Sequence, residues 1–340
     1  MSTPVTIEPS ELEKAGPVIL AEIITLPEVT DRDDPHGDPP SPPLPPLPEG
    51  NGQAMRRKRK ITDRVATTLV YGAFVLAMIP LVSVVATVVS RGINRLDAAF
   101  FTHSMRNVVG EGGGALHAIV GTLQITGLAA LISIPIGLLT AIYLVEYGRG
   151  ALARSVTFFV DVMTGIPSIV AGLFAYSLFL LVFGPGSQSG FAGGVALSVL
   201  MVPVVVRACE EMLRLVPNEL REASLALGVP RWRTIMKVVL PTSIAGITTG
   251  IMLAIARVIG ETAPLLVTVG FTQSMNYDLF DGPMATLPVF VYNSYMSQGV
   301  DAQAYIDRAW TGALVLILIV MALNLIARLV AVKFAPKGNR

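Results

Sequence analysis

The chain has 340 residues, of which 52% are hydrophobic and only 14% are charged, and its formal net charge is +1. The apolar residues occur in runs of about 20, long enough to cross a bilayer as helices, which predicts a polytopic membrane protein rather than a soluble domain. A net charge near zero gives no indication of nucleic-acid binding. Cys209 is the only cysteine, so an intramolecular disulfide is excluded.

Residues 1–60 are predicted to form a disordered, proline-rich cytoplasmic tail. More than half of the residues from Pro35 to Pro48 are proline, which favours extended polyproline-type chain over packed structure. Residues 8–30 are compatible with a short amphipathic helix. The acidic N-terminus lacks an apolar core segment, so we expect no cleavable signal peptide. The basic cluster at 56–60 is expected to set topology and to contact anionic lipid.

Residues 61–335 are predicted to form a membrane domain with six spans. In chain order, the apolar runs are 66–90, 118–145, 156–183, 191–206, 242–270 and 309–332. The fourth run is short and contains Pro203. An even number of spans places both termini on the same side of the membrane.

The positions of Lys and Arg near the ends of the runs predict the orientation. One side of the membrane has only Arg91, Arg95, Arg106 and Arg308, and the remaining basic residues near span ends collect on the other side. Basic residues concentrate on the cytoplasmic side of membrane proteins. Both termini and the connection at 207–241 are therefore predicted to be cytoplasmic.

The connection at 207–241 is long, charged and patterned as helix. We expect Asn218 to cap a short helix, Gly228 to end it, Pro230 to begin a second helix and Pro241 to close the connection. These features fit an ordinary solvated helical hairpin, and they also fit a surface that another protein grips.

The spacing of residues in this connection resembles a known motif. Glu222-Ala223-Ser224, Gly228 and Val238-Val239-Leu240-Pro241 are similar to the "EAA" loop of ATP-binding-cassette (ABC) importer permeases, with conservative departures at Ser224 and Val238. In that family the loop docks into a groove of the ATPase subunit. The resemblance implies that Glu222, Ala223 and Gly228 couple this chain to an ATPase. The Glu222 carboxylate would bond the partner, and Ala223, Ser224 and Ala226 would allow its close approach.

The fifth apolar run carries two charged residues. Arg257 and Glu261 are four residues apart, which places them on one face of a helix. A charge at that depth costs at least about 2.5–3.5 kcal/mol, so such residues usually pair or line an aqueous path. A buried ion pair that only fixes packing fits this pattern, as does a route that presents the Arg257 guanidinium to an oxyanion. Gly260 and Pro264 are expected to loosen the helix. A helix-packing seam is predicted on a neighbouring face, at Gly246, Gly250 and Ala254.

The segment 257–266 makes the resemblance specific. It reads Arg-Val-Ile-Gly-Glu-Thr-Ala-Pro-Leu-Leu and is similar to the signature of the PstA family, one of the two permeases of phosphate-specific ABC importers. The sister permeases, PstC, usually have Gly-Glu-Thr-Met at the positions of 260–263. Further similar stretches bring the resemblance to residues 62–335: 121–123, 135–137, 143–147, 165–170 and 284–290.

Membership of this family would imply an all-α membrane protein with six transmembrane helices. The architecture would be that of a type I ABC importer permease (MetI-like), with a cytoplasmic coupling-helix loop. The chain would form half of the pathway of an ATP-driven inorganic phosphate importer in the bacterial inner membrane. Its partners would be a second, PstC-like permease, two cytoplasmic ATP-binding subunits and an extracytoplasmic phosphate-binding protein. The outer loop at 271–308 would meet the binding protein or fold back over the pore.

Neither a catalytic residue nor a metal or cofactor site is predicted. The glycine-rich segment at 110–114 follows no predicted strand, so we expect a turn or hinge there. No Lys in the chain follows a glycine loop and precedes Ser or Thr, so the sequence contains no phosphate-binding loop. His36, His103 and His117 have no Glu or Cys at metal-ligand spacing. The energy for transport would therefore come from another chain, and this chain is not expected to be an enzyme.

Three other functions remain open at this point. A related oxyanion importer, for molybdate, sulfate or phosphonate, would keep the loop around Glu222 but not normally the sequence at 260–264. An ion-coupled secondary transporter could use Arg257 and Glu261 in proton coupling but has no need of an ATPase-docking loop. A non-transporting receptor or scaffold would explain the tail and leave the intramembrane charges without a role.

Overall fold

The computed structural model describes the backbone of residues 52–334 and the side chains of residues 59–329. The proline-rich segment and the helix predicted at 8–30 lie outside these residues. Within the described part every regular element is helical, which confirms the predicted all-α class. The chain divides at Tyr71 into two units, and the residues discussed below as functional lie in the second.

Twelve α-helices are present between residues 52 and 334. They are α1 Gly52–Gly92, α2 Ala98–Thr102, α3 Leu116–Ile142, α4 Gly150–Gly165, α5 Ser168–Phe183, α6 Gly190–Arg214, α7 Asn218–Ala226, α8 Arg231–Thr234, α9 Leu240–Val258, α10 Ala263–Thr268, α11 Leu287–Met296 and α12 Ala302–Phe334. Two π-helical turns extend this series. The first, Tyr143–Tyr147, ends α3, and the second, Ile235–Val239, joins α8 to α9.

Five helical segments of the described chain are long and apolar enough to span a membrane: Arg59–Arg95, Leu116–Tyr147, Gly190–Arg214, Arg231–Val258 and Ala302–Leu329. The helices α4 and α5 together pass the same test but are bent by 106° at their junction. The prediction of six spans is confirmed when this bent pair counts as one span.

Three of the predicted spans differ from the observed helices. The run at 156–183 is broken at Ile166–Pro167, because proline lacks the N–H that a continuous helix needs and drives the preceding residue to extended backbone. The predicted end of the fourth span at 206 is wrong, since α6 continues through Pro203 to Arg214. Its last turns carry charges that pair along the helix, with Glu210 accepting from Arg207 at 2.7 Å and from Arg214 at 2.6 Å. The third difference lies in the run at 242–270, where the helix ends at Val258 and a new one begins at Ala263.

The central helix is α6. In its most apolar stretch 56% of the residues are buried, against at most 28% in the other four long helices. It packs against α3, α4, α5 and α9, and it contributes Leu197, Met201, Val205, Cys209 and Leu213 to the main core. Large apolar side chains of α1 and α5 are exposed instead, as expected of surfaces that face lipid or a membrane partner.

The glycine-rich segment before α3 is a turn, as predicted. Gly110, Gly112 and Gly113 have φ values of +81°, +97° and +67°. Two arginines predicted on the outer side hold this turn through its carbonyl oxygens. Arg308 donates to Gly110 at 2.9 Å and to Gly112 at 3.0 Å, and Arg95 donates to Gly113 at 3.0 Å.

The predicted outer loop at 271–308 contains α11 and packs back onto the membrane helices. Residues 284–290 are buried, and the Leu287 amide donates to the Thr122 hydroxyl of α3 at 2.7 Å. A side chain at Gly121 would require the backbone to move, because an added Cβ would lie well inside van der Waals contact with the carbonyl oxygen of Ala285.

This close approach makes Gly121→Ala a test of the packing. We expect the variant to be less stable by roughly 1–3 kcal/mol, because backbone must move to admit one methyl group. The matched control is Gly127→Ala on the same helix, where nothing lies within 4 Å of the added Cβ. Thermal denaturation of the two purified variants in detergent checks this, and equal melting temperatures would contradict it.

Candidate translocation and coupling site

The helix α9 buries one face and exposes the other. Gly250 packs so closely against Ala208 of α6 that a Cβ added to the glycine would lie 2.6 Å from the Ala208 Cβ. Gly246 packs against Met212, and Ala254 is buried. The predicted packing seam is therefore confirmed. On an adjacent face Thr249, Leu253 and Arg257 are exposed and follow one another at helical spacing.

The helix carrying Arg257 ends one residue later, at Val258. Residues 259–262 form an irregular turn, and α10 begins at Ala263. In a continuous helix the ring of Pro264 would clash with the Gly260 carbonyl, and proline could not donate to it. The expectation that Arg257 and Glu261 share one helical face is wrong, because Glu261 lies in the break. The predicted loosening at Gly260 and Pro264 is confirmed.

Arg257 and Glu261 do not form an ion pair. The ion pairs found among the described side chains involve Arg95, Arg207, Arg214 and Arg221, and none joins Arg257 to Glu261. The Arg257 side chain is exposed, and Glu261 is half-buried. This finding contradicts a packing-only ion pair, and it leaves the Arg257 side chain exposed.

A cleft of about 480 Å³ lies beside the break, with mostly apolar walls and two tyrosine side chains. Its lining is Thr262, Ala263, Leu266, Pro288, Val291, Tyr292 and Tyr295. Sequence analysis did not identify the tyrosines. Their spacing of three residues, directly after the recognisable segment at 284–290, is the signal that could have indicated them.

The cytoplasmic hairpin contains α7, which ends as predicted but begins differently. Gly228 has φ of +77° and follows the helix, so the predicted glycine stop is confirmed. Asn218 does not cap α7. The residue before the helix is Pro217, and the Asn218 side chain accepts a hydrogen bond from Arg221 at 3.1 Å instead.

The exposed face of α7 carries most of the residues expected to meet an ATPase. Glu222, Ala223, Ala226 and Gly228 are exposed, and so are the apolar side chains Leu225 and Leu227. Ser224 is different, because it is buried and its hydroxyl lies 2.9 Å from that of Thr234. The expected place of Ser224 on the docking surface is therefore wrong.

The hairpin returns to the membrane without interruption. Pro230 precedes α8, and the helical path from Arg231 to Val258 includes Pro241 near the start of α9. The expectation that Pro241 closes the connection is therefore wrong. The second π-helical turn ends at Val239, two residues before Pro241.

Comparison with known proteins places this architecture in a family. Residues 133–339 match the model of the family described as "Binding-protein-dependent transport system inner membrane component". The chain is 50% identical over 276 residues to the phosphate transport system permease protein PstA 1 of Mycobacterium tuberculosis, covering 80% of this chain and 90% of that protein. It is 40% identical over 282 residues to the PstA permease of Yersinia pestis, covering 83% of this chain and 92% of that one.

A solved structure supports the fold. The MetNI methionine ABC transporter in inward-facing conformations matches with a TM-score of 0.54 at 20% identity, over 65% of this chain and 96% of the matched chain. The match confirms the MetI-like permease architecture that the resemblance implied. The chain belongs to the inner membrane components of binding-protein-dependent transport systems and, within that family, to the PstA permeases.

Proposed function

We propose that this chain is the permease subunit of an ATP-driven inorganic phosphate importer and forms half of its translocation pathway. The observation that carries the proposal of an anion pathway is the Arg257 side chain, which is exposed, lies one residue before the end of α9 and has no ion pair among the described side chains. Relatives that are 40–50% identical to this chain are named phosphate transport system permeases, and they support phosphate as the substrate.

An arginine in this position suits an oxyanion. A guanidinium presents several donors in a planar fork that matches phosphate oxygens. Glu261, half-buried in the adjacent break, would limit how tightly the anion is held. Such a site does not by itself distinguish phosphate from sulfate or molybdate, so the choice of phosphate rests on the relatives.

The proposal assigns a partner to each exposed surface. The face of α7 with Glu222, Ala223 and Gly228 would dock one of two cytoplasmic ATP-binding subunits. The face of α9 that carries Arg257 would meet a second, PstC-like permease across the pathway. An extracytoplasmic phosphate-binding protein would deliver the anion to the outer side. Both termini, the tail at 1–60 and the coupling loop at 207–241 would be cytoplasmic, and residues 61–335 would form the permease domain.

Uptake of labelled phosphate tests the function. In a bacterial strain that lacks the corresponding gene, expression of this chain should restore ATP-dependent uptake, and a hundredfold excess of sulfate or molybdate should compete little. Efficient competition by either anion would favour the related oxyanion importer. Uptake that follows the proton gradient and persists without the ATP-binding subunits would favour a secondary transporter.

The purified chain should neither bind nor hydrolyse ATP, since no phosphate-binding loop is present in its sequence. Hydrolysis should appear only when the ATP-binding subunits are added. Robust vanadate-sensitive hydrolysis by the chain alone would overturn the assignment.

A further inference from the structure

The guanidinium of Arg221 donates four hydrogen bonds within the chain. Its Nε donates to Glu146 Oε1 at 3.0 Å, and Nη1 donates to the Val216 carbonyl at 2.6 Å and to Asn218 Oδ1 at 3.1 Å. Nη2 donates to the Leu213 carbonyl at 2.9 Å. The side chains of Arg221 and Glu146 are only 16% and 13% exposed, so this ion pair is shielded from water.

These acceptors belong to different parts of the membrane domain. Leu213 lies in the last turn of α6, whereas Glu146 lies in the π-helical turn that ends α3. The guanidinium therefore connects the coupling helix α7 to the cytoplasmic ends of two membrane helices. The helices α3 and α6 pack along each other in the core, so a displacement of their ends would be passed along closely packed helices.

A second contact ties α7 to a third membrane helix. The buried hydroxyl contact between Ser224 and Thr234 lies directly before the second π-helical turn, which leads into α9 and to Arg257. Glu146 therefore lies within one π-helical turn, and Thr234 directly precedes the other. Such turns have looser backbone hydrogen bonding than an α-helix and recur at functional sites.

We propose that Arg221 and Glu146 form a joint that transmits the movement of the coupling helix to α3 during each ATPase cycle. The inference rests on the proposed function, because it needs an ATPase that displaces α7. A solvated ion pair would contribute little to such a connection. This pair is largely desolvated, so α7 cannot move away from α3 without breaking the charge-assisted bond to Glu146, and it cannot move away from α6 without breaking the bond to the Leu213 carbonyl. Arg221 and Glu146 are positioning residues that need not touch phosphate.

The competing interpretation is that these bonds only keep the hairpin folded. The two roles have different signatures. A structural role lowers the abundance and melting temperature of the transporter but leaves each assembled copy normal. A transmitting joint changes the amount of phosphate moved per ATP hydrolysed in copies that are assembled and hydrolyse ATP.

The test uses the complete transporter, with both permeases, the ATP-binding subunits and the binding protein, reconstituted in lipid vesicles. Labelled phosphate uptake and ATP hydrolysis are measured together at matched amounts of assembled protein. For Glu146→Gln and Arg221→Lys we expect the ATP-binding subunits to remain bound and to hydrolyse ATP. The amount of phosphate transported per ATP hydrolysed should fall about tenfold, a change of the size that coupling between two sites typically produces. The control is Arg149→Gln, an exposed arginine close to Glu146 in the chain, which should keep the wild-type ratio.

A double variant separates one joint from two independent effects. If the residues act through each other, Glu146→Gln combined with Arg221→Lys should lower the ratio no further than the worse single variant. Losses that multiply would overturn the joint. So would a wild-type ratio in the assembled fraction of both single variants, even if their abundance falls. Absence of phosphate transport by the wild-type complex would instead refute the proposed function.

Discussion

Replacement of Arg257 by lysine should lower phosphate uptake about tenfold or more while the transporter stays assembled. Lysine keeps the positive charge but loses the planar fork that bonds two phosphate oxygens, and one lost charge-assisted hydrogen bond contributes enough free energy for a tenfold change. Since Arg257 is exposed and forms no ion pair in the described chain, its replacement leaves no buried partner unsatisfied. The measurement is uptake of labelled phosphate at matched membrane abundance, with Arg328→Lys, an exposed arginine on α12, as the control.

Variants at Glu261 separate transport from packing. Glu261→Gln should alter uptake by releasing the carboxylate that limits anion binding, and the apolar double replacement Arg257→Leu with Glu261→Leu should abolish uptake without loss of protein. Arg257 and Glu261 form no ion pair among the described side chains, so their replacement should leave the fold intact and a loss of uptake would report on transport. Normal uptake by the double variant would show that phosphate passes elsewhere.

Gly228→Val should weaken the docking of the ATP-binding subunit and thereby lower phosphate uptake. The glycine has φ of +77° and nothing lies within 4 Å of an added Cβ, so the obstacle is the backbone conformation and not a steric contact. A left-handed backbone costs an ordinary residue about 1–2 kcal/mol, and more if it is β-branched, so valine should reorient the end of α7. We expect binding of the ATP-binding subunit to weaken about tenfold, with a matching loss of phosphate uptake.

Asparagine provides the matched control at this position, because it adopts left-handed backbone more readily than other residues with a side chain. Gly228→Asn should keep most of the coupling. Removal of the exposed carboxylate in Glu222→Gln should weaken the same contact without changing the backbone. Co-purification of the ATP-binding subunit and phosphate uptake check all three variants. Normal values for Gly228→Val and Glu222→Gln would make the hairpin a passive connector.

Much of the candidate site was predictable because it depends on local chain properties. The glycine that ends α7, the small-residue seam of α9 and the loosened helix near Pro264 follow from backbone preferences of single residues or from helical spacing. The predicted end of a span was wrong where a charged residue ended the apolar run before the helix ended, as at Arg207 in α6. Errors also arose where a proline had two possible effects. Pro167 breaks its span, whereas Pro241 is accommodated within one.

The sequence by itself determined that the chain crosses the membrane several times, and its motifs indicated the permease family, because apolar length and motif spacing are properties of contiguous residues. Only the tertiary structure decided which side chains meet. It turned Ser224 inward onto Thr234, left Arg257 without Glu261, and paired Arg221 with Glu146 from a helix 75 residues earlier. Such contacts depend on how distant helices pack, and helix packing is set by the whole set of buried surfaces, which no local pattern in the chain specifies.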